Sequence, residues 1–226
     1  DSYVSVNEAL KHATASINSS VSIDWIDSET LNGNIKKLSE YQGILVPGGF
    51  GTRGSEGIIE TASFALEQNI PFLGICFGFQ LAAVSFGRSI CKLEEANSTE
   101  ISADTTHPII ALLPEQEGVS DMGGSLRLGA NEIKINPDTL ASKLYNSNKI
   151  SRRHRHRYEF NTNFREQFKE NGMIFSGESD NGKRMEILEV PSHKFFLGVQ
   201  FHPEFNSRPG FPEESFKSFV TAASQN

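Results

Sequence analysis

Cys76 is the residue of this chain whose type and surroundings are best suited to chemistry. It lies in the pentapeptide Gly74-Ile75-Cys76-Phe77-Gly78. This is a cysteine version of the Gly-x-Ser-x-Gly elbow, in which glycines allow a sharp strand-to-helix turn that exposes a nucleophile. Unsatisfied backbone N–H groups and the dipole at the start of the following helix favour the thiolate form of such a cysteine. The pattern predicts a nucleophile, and the alternative is a buried core cysteine beside two closely packed glycines.

A nucleophilic thiol needs a base, and His202 is the strongest candidate among the six histidines. It follows the apolar run 195–201 and precedes Pro203 and Glu204. Side chains two residues apart in an extended chain point to the same side, so Glu204 can accept the second ring N–H of His202 and fix its tautomer. The sequence thus predicts a nucleophile, a base and an orienting carboxylate. The alternative is a surface histidine in a proline-containing turn.

A glycine-rich loop at 49–54 follows the apolar stretch 43–46 and precedes a helical pattern. It fits the Gly-x-Gly-x-x-Gly fingerprint of dinucleotide sites. Such a site also requires an acidic residue near the end of the next strand, and the sequence has Cys76 there. Because glycines let backbone N–H groups approach a substrate closely, the loop favours oxyanion-stabilising donors beside Cys76 over dinucleotide binding.

The second unusual run is Arg152-Arg153-His154-Arg155-His156-Arg157-Tyr158. In a strand, alternate residues share a face, so the arginines at 153, 155 and 157 lie opposite His154, His156 and Tyr158. The run is compatible with a nucleic-acid patch, a metal site, an anion-binding site or a solvated strand. The acidic overall charge weakens the first, and a metal site lacks an evident third ligand. An arginine directed towards Cys76 would bind the carboxylate of an amino-acid substrate through paired hydrogen bonds.

The order of the strands and helices that must position these residues predicts an α/β fold. We expect a doubly wound, mostly parallel central sheet with helices on both faces and a small additional antiparallel region. Strands at 43–46 and 70–75 are each followed by a helix, which is the repeating order of a parallel sheet. Further strands are predicted at 21–25, 99–102, 107–113, 132–135, 151–161, 174–177, 185–190 and 195–201. Further helices are predicted after a capping box at 5–8, at 140–145, at 164–170 and from Pro212, with loops at 115–121 and 122–129.

Length and composition favour one domain over residues 1–226. The net charge of -7 argues against general binding to nucleic acid or to anionic membranes. No apolar stretch approaches the roughly 18 residues of a membrane span, and two cysteines, Cys76 and Cys91, predict reduced thiols in a cytoplasmic protein. Because an α/β domain more often begins with a strand than with a helix, we expect Asp1 to follow another part of a larger protein.

Taken together, these motifs resemble the class I glutamine amidotransferase domain of the CTP synthase family. The resemblance covers nearly the whole chain. Its general motifs are at 47–51, 74–80 and 200–205, and its motifs typical of this family are at 53–57, 96–100, 122–129 and 153–159. Phe77 and Phe79 depart from the Leu and Met usual in the family.

The resemblance implies that Cys76, His202 and Glu204 hydrolyse L-glutamine to glutamate and ammonia through a glutamyl thioester. It implies that the N–H groups of Gly49 and Phe77 form the oxyanion hole. Glu100 would bind the ammonium group of the substrate and Arg157 its carboxylate. The full set of glutamine-binding residues implied in this way is Gly49, Phe50, Gly51, Phe77, Gly78, Gln80, Glu100, Arg157 and Tyr158.

For a longer parent protein, the resemblance implies a synthetase domain in the same chain that uses ATP, Mg²⁺ and UTP and responds to GTP. Arg53 and Glu56 lie in the motif associated with the GTP response. The domain itself is expected to need no cofactor or metal, and the full-length protein is expected to be a cytoplasmic homo-oligomer, a tetramer. Two other hypotheses stay open: an amidotransferase that serves another acceptor, in GMP or carbamoyl-phosphate synthesis, and a non-catalytic module that senses glutamine or nucleotide.

Overall fold

The structure is a computed structural model that describes residues 3–31, 33–113 and 126–225. Its helices are α1 (Val4–Ser16), α2 (Ser55–Glu67), α3 (Phe77–Ser89), α4 (Leu140–Tyr145), α5 (Arg165–Glu170) and α6 (Glu214–Ala223). Its strands are β1 (Ile44–Val46), β2 (Phe72–Ile75), β3 (Ala96–Ser98), β4 (His107–Ala111), β5 (Arg127–Ile135), β6 (Lys149–His156), β7 (Glu159–Phe160), β8 (Ile174–Ser179), β9 (Arg184–Glu189) and β10 (Phe196–Val199).

Seven strands form the central sheet in the order β1-β2-β10-β9-β8-β5-β6, and β3, β4 and β7 form a smaller sheet. Strand β2 pairs in parallel with β1 on one side and with β10 on the other. The pairs from β10 through β9, β8 and β5 to β6 are antiparallel. The predicted α/β class is confirmed, and the central sheet is mixed. The antiparallel strands belong to this sheet itself, so they are a larger part of the fold than the sequence indicated.

The sheet separates two apolar layers because successive side chains of a strand point to opposite faces. Phe72 and Phe196 stack with their ring centroids 4.6 Å apart on the face covered by α2 and α3. Leu73 and Leu197 point to the other face, which α1 and α6 cover. Strands β2 and β10 are therefore buried on both faces, and their carboxyl ends lead directly to Cys76 and towards His202.

The strand predicted at 21–25 is wrong. Its alternating pattern is present, but these residues pair with no strand of the described structure. They line an open groove of about 580 Å³ whose other wall includes β1, the edge strand of the central sheet. Trp25 stays 51% exposed and stacks on Tyr3 with 5.0 Å between ring centroids. Alternation supplies the faces of a strand, but a ladder also needs a neighbouring backbone edge within hydrogen-bonding distance.

Four further predictions need correction. The strand predicted at 99–102 lies instead at Ala96–Ser98, and the next residues form turns. The capping box at 5–8 does not form, because Tyr3 is the N-cap of α1 and Glu8 pairs with Lys11 at 2.7 Å. The last helix begins at Glu214 rather than at Pro212.

The fourth correction concerns the glycine-rich run 122–129, which was predicted as a loop. Its residues 127–129 are the start of β5 and pair with β6, so the ladder extends further than the apolar pattern at 132–135 indicated. Residues 122–125 of this run and the predicted loop at 115–121 lie outside the described residues.

The remaining predicted elements are observed with shifted ends. The strands around 107–111, 132–135, 174–177, 185–189 and 196–199 and the helices at 140–145 and 165–170 are present. Phe216, Phe219 and Val220 face the core from α6 as predicted. No helix in the described part of the chain is both long and apolar enough to cross a membrane.

Candidate active site

The turn between β2 and α3 presents Cys76 in a strained conformation. Cys76 has a φ of 53° and a ψ of -98° and is the N-cap residue of α3. A positive φ in a residue with a side chain costs free energy that the surrounding structure must offset, and such residues concentrate at functional sites. The Cys76 N–H donates to the carbonyl oxygen of Val199 at 2.7 Å. This bond ties the cysteine to β10, the strand that leads to His202.

The two glycines of the elbow are required by close backbone contacts. A Cβ atom on Gly78 would lie 2.4 Å from the carbonyl oxygen of Val46. A Cβ atom on Gly74 would lie 2.7 Å from the carbonyl carbon and oxygen of Gly78. Both distances are far below a normal non-bonded contact, so any larger residue would push α3 away from the sheet. The Gly-x-Cys-x-Gly spacing therefore reflects the packing of a real elbow.

His202 and Glu204 form the predicted pair. The Nδ1 atom of His202 lies 2.8 Å from Oε1 of Glu204, and the backbone N–H of His202 donates to Arg153 O at 2.8 Å. Burial alone would lower the pKa of His202, but its interactions with Cys76 and Glu204 raise the pKa to about 10. The Nε2 atom is buried and has no hydrogen-bond partner within the described residues. This nitrogen is left for the thiol and for a substrate.

The glycine-rich loop lies against the side chains of Cys76 and His202. A Cβ atom on Gly48 would lie 2.8 Å from Cε1 of His202 and 3.7 Å from Cβ of Cys76. One on Gly49 would lie 3.3 Å from the ring of Phe77. Gly48 was not among the predicted site residues, although its neighbour Gly49 was. Its role is visible only when the loop is seen between the two side chains.

The other residues predicted for the glutamine site are linked to this loop and to α3. The Gly51 N–H donates to Oε1 of Glu100 at 3.1 Å. Burial and the negative charge of Glu100 raise the pKa of Tyr158, whereas Arg157 lowers it, so these three residues are neighbours. Phe50, in contrast, is 87% exposed. Its side chain is therefore at the surface rather than inside the cluster.

Gln80 joins α3 to the segment that follows β6. Its side chain is almost fully buried, and its Nε2 donates to Tyr158 O at 3.0 Å and to Oε1 of Gln200 at 3.2 Å. Cys76 Sγ lies 3.9 Å from Arg155 O, a weak contact. Strand β6 and the turn after it therefore form one wall of the site.

The predicted alternation of the arginine–histidine run is observed within β6. His154 and His156 are buried, whereas Arg153 and Arg155 are exposed. Arg157 follows the end of the strand. The two imidazoles bond to each other, with 3.0 Å between Nδ1 of His154 and Nε2 of His156. Among the described residues no group of three or more His, Cys, Asp or Glu side chains could bind a metal ion.

Arg53 and Glu56 make ion pairs with other surface elements. Nη2 of Arg53 lies 2.7 Å from Oε2 of Glu29, which precedes α2 in the turn Ser28–Leu31. Glu56 accepts two hydrogen bonds from Arg88 of α3, at 2.6 and 3.2 Å. The described contacts of these two side chains are thus separate from those of Cys76 and His202.

A buried charge cluster beneath β6 was missed. Arg127 Nη1 lies 2.6 Å from Oε1 of Glu186, and Arg184 Nη1 lies 2.6 Å from Oε1 of Glu159. Burial and the nearby Glu186 raise the pKa of Glu159 to about 7, although the two arginines lower it. The signal available in the sequence was Glu186, a charged residue inside the apolar strand 185–190. Its neighbours Arg127 and Glu159 come from β5 and β7, which belong to different sheets and meet only in the folded chain.

Comparisons with known proteins agree with this geometry. The family model of class-I glutamine amidotransferases matches residues 1–222. The chain therefore belongs to the class I glutamine amidotransferase family, as its elbow and its His-x-Glu pair indicated.

Within that family the chain is similar to CTP synthases. It is 52% identical over 223 residues to the CTP synthase of Archaeoglobus fulgidus and 54% identical over 225 residues to that of Staphylococcus epidermidis. Each match covers 99% of this chain and 42% of the relative, so the chain spans less than half the length of these proteins. Its fold matches the glutaminase domain of Trypanosoma brucei CTPS with bound acivicin, with a TM-score of 0.94 and 35% identity over all of this chain and 89% of that one.

Proposed function

We propose that this chain hydrolyses L-glutamine to glutamate and ammonia. The observation that carries the proposal is the arrangement of Cys76, His202 and Glu204: a strained elbow cysteine beside a histidine whose Nδ1 lies 2.8 Å from a carboxylate oxygen. The pKa of His202 is raised to about 10, so the ring is protonated at neutral pH. The charged ring can stabilise the attacking sulfur of Cys76 and supply the proton that the leaving nitrogen needs.

The reaction has two halves that use the same three side chains. The Cys76 sulfur forms a bond to the side-chain amide carbon of glutamine, and His202 donates its Nε2 proton to the leaving nitrogen, which departs as ammonia. The glutamyl thioester then accepts a water molecule whose proton passes to His202, and the carbon–sulfur bond breaks to release glutamate. Glu204 keeps Nδ1 protonated and stabilises the charged ring in both halves.

Backbone donors stabilise the oxyanion that forms in each half. The N–H groups of Gly49 and Phe77 are assigned this role because Gly49 lies against the Phe77 ring and Phe77 is the first residue of α3. Donors fixed before the reaction need no reorganisation as the negative charge develops. Gly78 contributes by allowing the close approach of α3 to β1, and it provides the packing on which the elbow depends.

The amino-acid end of glutamine is bound between Glu100 and Arg157. Glu100 pairs with the substrate ammonium, and Arg157 pairs with its carboxylate through charge-assisted hydrogen bonds. Gln80 and Tyr158 support this end, because the Gln80 side chain bonds to the Tyr158 carbonyl. The bond from the Gly51 N–H to Glu100 couples the ammonium-binding side to the glycine-rich loop. The exposed Phe50 flanks the entrance.

In the parent protein the ammonia serves the amination of UTP to CTP. The support is the identity of more than 50% to CTP synthases of which this chain spans 42%. ATP, Mg²⁺ and UTP are assigned to a synthetase domain outside this chain, and the parent protein is proposed to be a cytoplasmic tetramer. Arg53 and Glu56 are assigned to the response to GTP, because their motif resembles the one associated with it and both side chains lie at the surface.

Ammonia release from L-glutamine by this chain and by Cys76→Ala tests the glutaminase proposal. We expect Cys76→Ala to remove the activity completely. Cys91→Ala is the matched control, because Cys91 is buried in a setting that raises its pKa to about 11 and suppresses its reactivity. Acivicin, the compound bound in the trypanosomal domain, should label Cys76, with chloride as the leaving group, and leave Cys91 unmodified. Equal ammonia release by the wild type and Cys76→Ala would refute the nucleophile assignment, and glutamine binding without release would indicate a sensing module.

A further inference from the structure

Two buried histidines behind the candidate site form a hydrogen-bonded chain that the glutaminase reaction does not use. His154 and His156 lie on the inner face of β6 and are nearly inaccessible to solvent. Nδ1 of His154 is 3.0 Å from Nε2 of His156, and Nδ1 of His156 is 3.1 Å from the carbonyl oxygen of Tyr158. This series of hydrogen bonds thus runs along the strand and ends on the backbone next to Arg157.

The geometry determines where each proton lies if both rings are neutral. A carbonyl oxygen only accepts hydrogen bonds, so Nδ1 of His156 must be the donor to Tyr158. A neutral ring has one N–H, which leaves Nε2 of His156 as an acceptor. His154 must then donate from its own Nδ1. Both rings therefore have the proton on Nδ1, and all the hydrogen bonds point towards Tyr158.

The surroundings keep both rings neutral. Burial, together with the positive charge of Arg127, lowers the pKa of His154 to about 2 and that of His156 to about 3. Arg184 and the protonated His202 act in the same direction. Glu186 lies 3.8 Å from His154 and Glu159 lies 3.7 Å from His156, but each of these carboxylates is engaged by an arginine at 2.6 Å. Their charge is therefore neutralised by a partner other than the imidazoles.

The Tyr158 carbonyl receives two donors from different elements. His156 approaches from β6, and Nε2 of Gln80 approaches from α3 at 3.0 Å. This carbonyl belongs to the peptide group that joins Tyr158 to Glu159. The two donors therefore hold the residue that directly follows Arg157, which is itself the first residue after β6. The two hydrogen bonds fix the orientation of this turn relative to the elbow helix that begins at Phe77.

We propose that His154 and His156 are positioning residues that hold the Arg157–Tyr158 turn in the geometry that binds the carboxylate of glutamine. This inference rests on the proposed glutaminase function, since it assigns the substrate carboxylate to Arg157. The two histidines do not touch the reacting atoms. They act through the Tyr158 carbonyl, and their loss reduces glutamine affinity rather than the rate of the chemical steps.

The first test measures the proton positions directly in this chain. Nitrogen-15 NMR of the histidine rings distinguishes an N–H from a bare nitrogen at each position. We expect both His154 and His156 to be neutral with the proton on Nδ1 between about pH 5 and pH 8, as their buried, arginine-flanked setting requires. A proton on Nε2 of either ring, or protonation of either ring in this range, overturns the proposal. This measurement does not depend on glutaminase activity.

The second test measures glutamine affinity in a Cys76→Ala background, where no turnover occurs. His156→Leu removes the donor to Tyr158, and we expect the Kd for L-glutamine to rise about tenfold, as for the loss of a well-positioned buried hydrogen bond. His156→Asn places a side-chain N–H near the position of Nδ1 and should restore most of the affinity. In the active chain the same pair should differ in KM much more than in kcat.

His193→Leu is the control for the loss of a partly buried histidine that bonds to the backbone. His193 also bonds to a backbone carbonyl, with 3.0 Å between Nε2 and Ala65 O, but it lies on the loop between β9 and β10. We expect this variant to be less stable without a change in glutamine affinity. Equal affinity of His156→Leu and the unsubstituted protein overturns the proposal. If His156→Leu does not fold, His156→Asn is compared with Arg157→Ala. The proposal is overturned if these two variants lose the same affinity for glutamine.

Discussion

Three neighbouring histidines of this protein, the buried His154 and His156 and the partly buried His202, have opposite shifts in pKa. His202 has a pKa raised to about 10, whereas the pKa values of His154 and His156 are lowered to about 2 and about 3. Each has a partner two residues along the chain: His202 bonds to Glu204 and His154 bonds to His156. The same local spacing therefore produces a charged base in one place and a neutral pair in the other.

The difference comes from the neighbouring groups rather than from burial. Desolvation lowers the pKa of all three rings, because burial disfavours the charged form. At His202 a thiol and a carboxylate reverse this effect, and at the other two rings Arg127 reinforces it. The charged ring can transfer protons, and the neutral pair can only hold fixed hydrogen bonds. We infer a division of labour in which His202 acts on kcat and the pair acts on substrate binding.

Among these variants, Glu204→Gln should give the largest effect, and it should act on kcat. The amide keeps the shape but removes the charge that stabilises protonated His202, so we expect kcat to fall by roughly 10²- to 10⁴-fold, the usual contribution of a positioned acid–base group. KM should change little. Steady-state kinetics measures both constants, and NMR should show the pKa of His202 falling while His154 and His156 stay neutral. Unchanged kcat would remove Glu204 from the triad.

Arg157→Ala should instead raise the KM for glutamine. The glutamine carboxylate loses a charge-assisted pair of about 1.5–3 kcal/mol, which corresponds to a rise in KM of roughly tenfold to 150-fold. We expect kcat to fall by less than KM rises, because the base and its carboxylate are untouched. Arg155→Ala is the control, since Arg155 is an exposed arginine of β6 only two residues before Arg157. An unchanged KM in Arg157→Ala would place Arg157 outside the glutamine pocket.

Local motifs predicted the site better than the sheet that surrounds it. The elbow at Cys76 and the pair His202–Glu204 are each contained within five consecutive residues. Their geometry therefore follows from turn chemistry and strand periodicity. The segment 21–25 shows the limit of the same reasoning, because its sequence alternates between apolar and polar residues but it pairs with no strand of the described structure. Whether a strand pairs depends on edges that come from distant parts of the chain.

The charge cluster illustrates why the role of β6 could not be predicted. The sequence showed that His154 and His156 share a face, and the structure confirms that this face is buried. It did not show that Arg127 from β5 and Arg184 from β9 lie beside them. Without those arginines, an anion-binding, metal-binding or solvated strand all stayed open as interpretations. The long-range partners, rather than the local pattern, decide the protonation of the two rings.

The pH dependence of stability provides the smallest and most selective test of the comparison. For His154 and His156 the folded pKa is below the unfolded value near 6.5. Their contribution to the free energy of unfolding is therefore present above pH 6.5 and is lost as the pH falls towards 3. For His202 the folded pKa is raised to about 10. Its contribution is present below pH 6.5 and is lost as the pH rises through 10.

A difference between variants isolates one of these histidines. Burial raises the pKa values of Glu159 and Glu213, which take up protons in the folded protein over part of the acidic range, so the total slope mixes several groups. His156→Asn removes one proton that only the unfolded chain binds. In urea unfolding at a series of pH values, it should therefore reduce the acidic slope of the unfolding free energy by up to about 1.4 kcal/mol per pH unit between 6.5 and 3. The alkaline slope, which His202 controls, should stay the same. A parallel shift of the whole curve, with both slopes unchanged, would mean that His156 is charged in the folded protein and that the contrast with His202 is wrong.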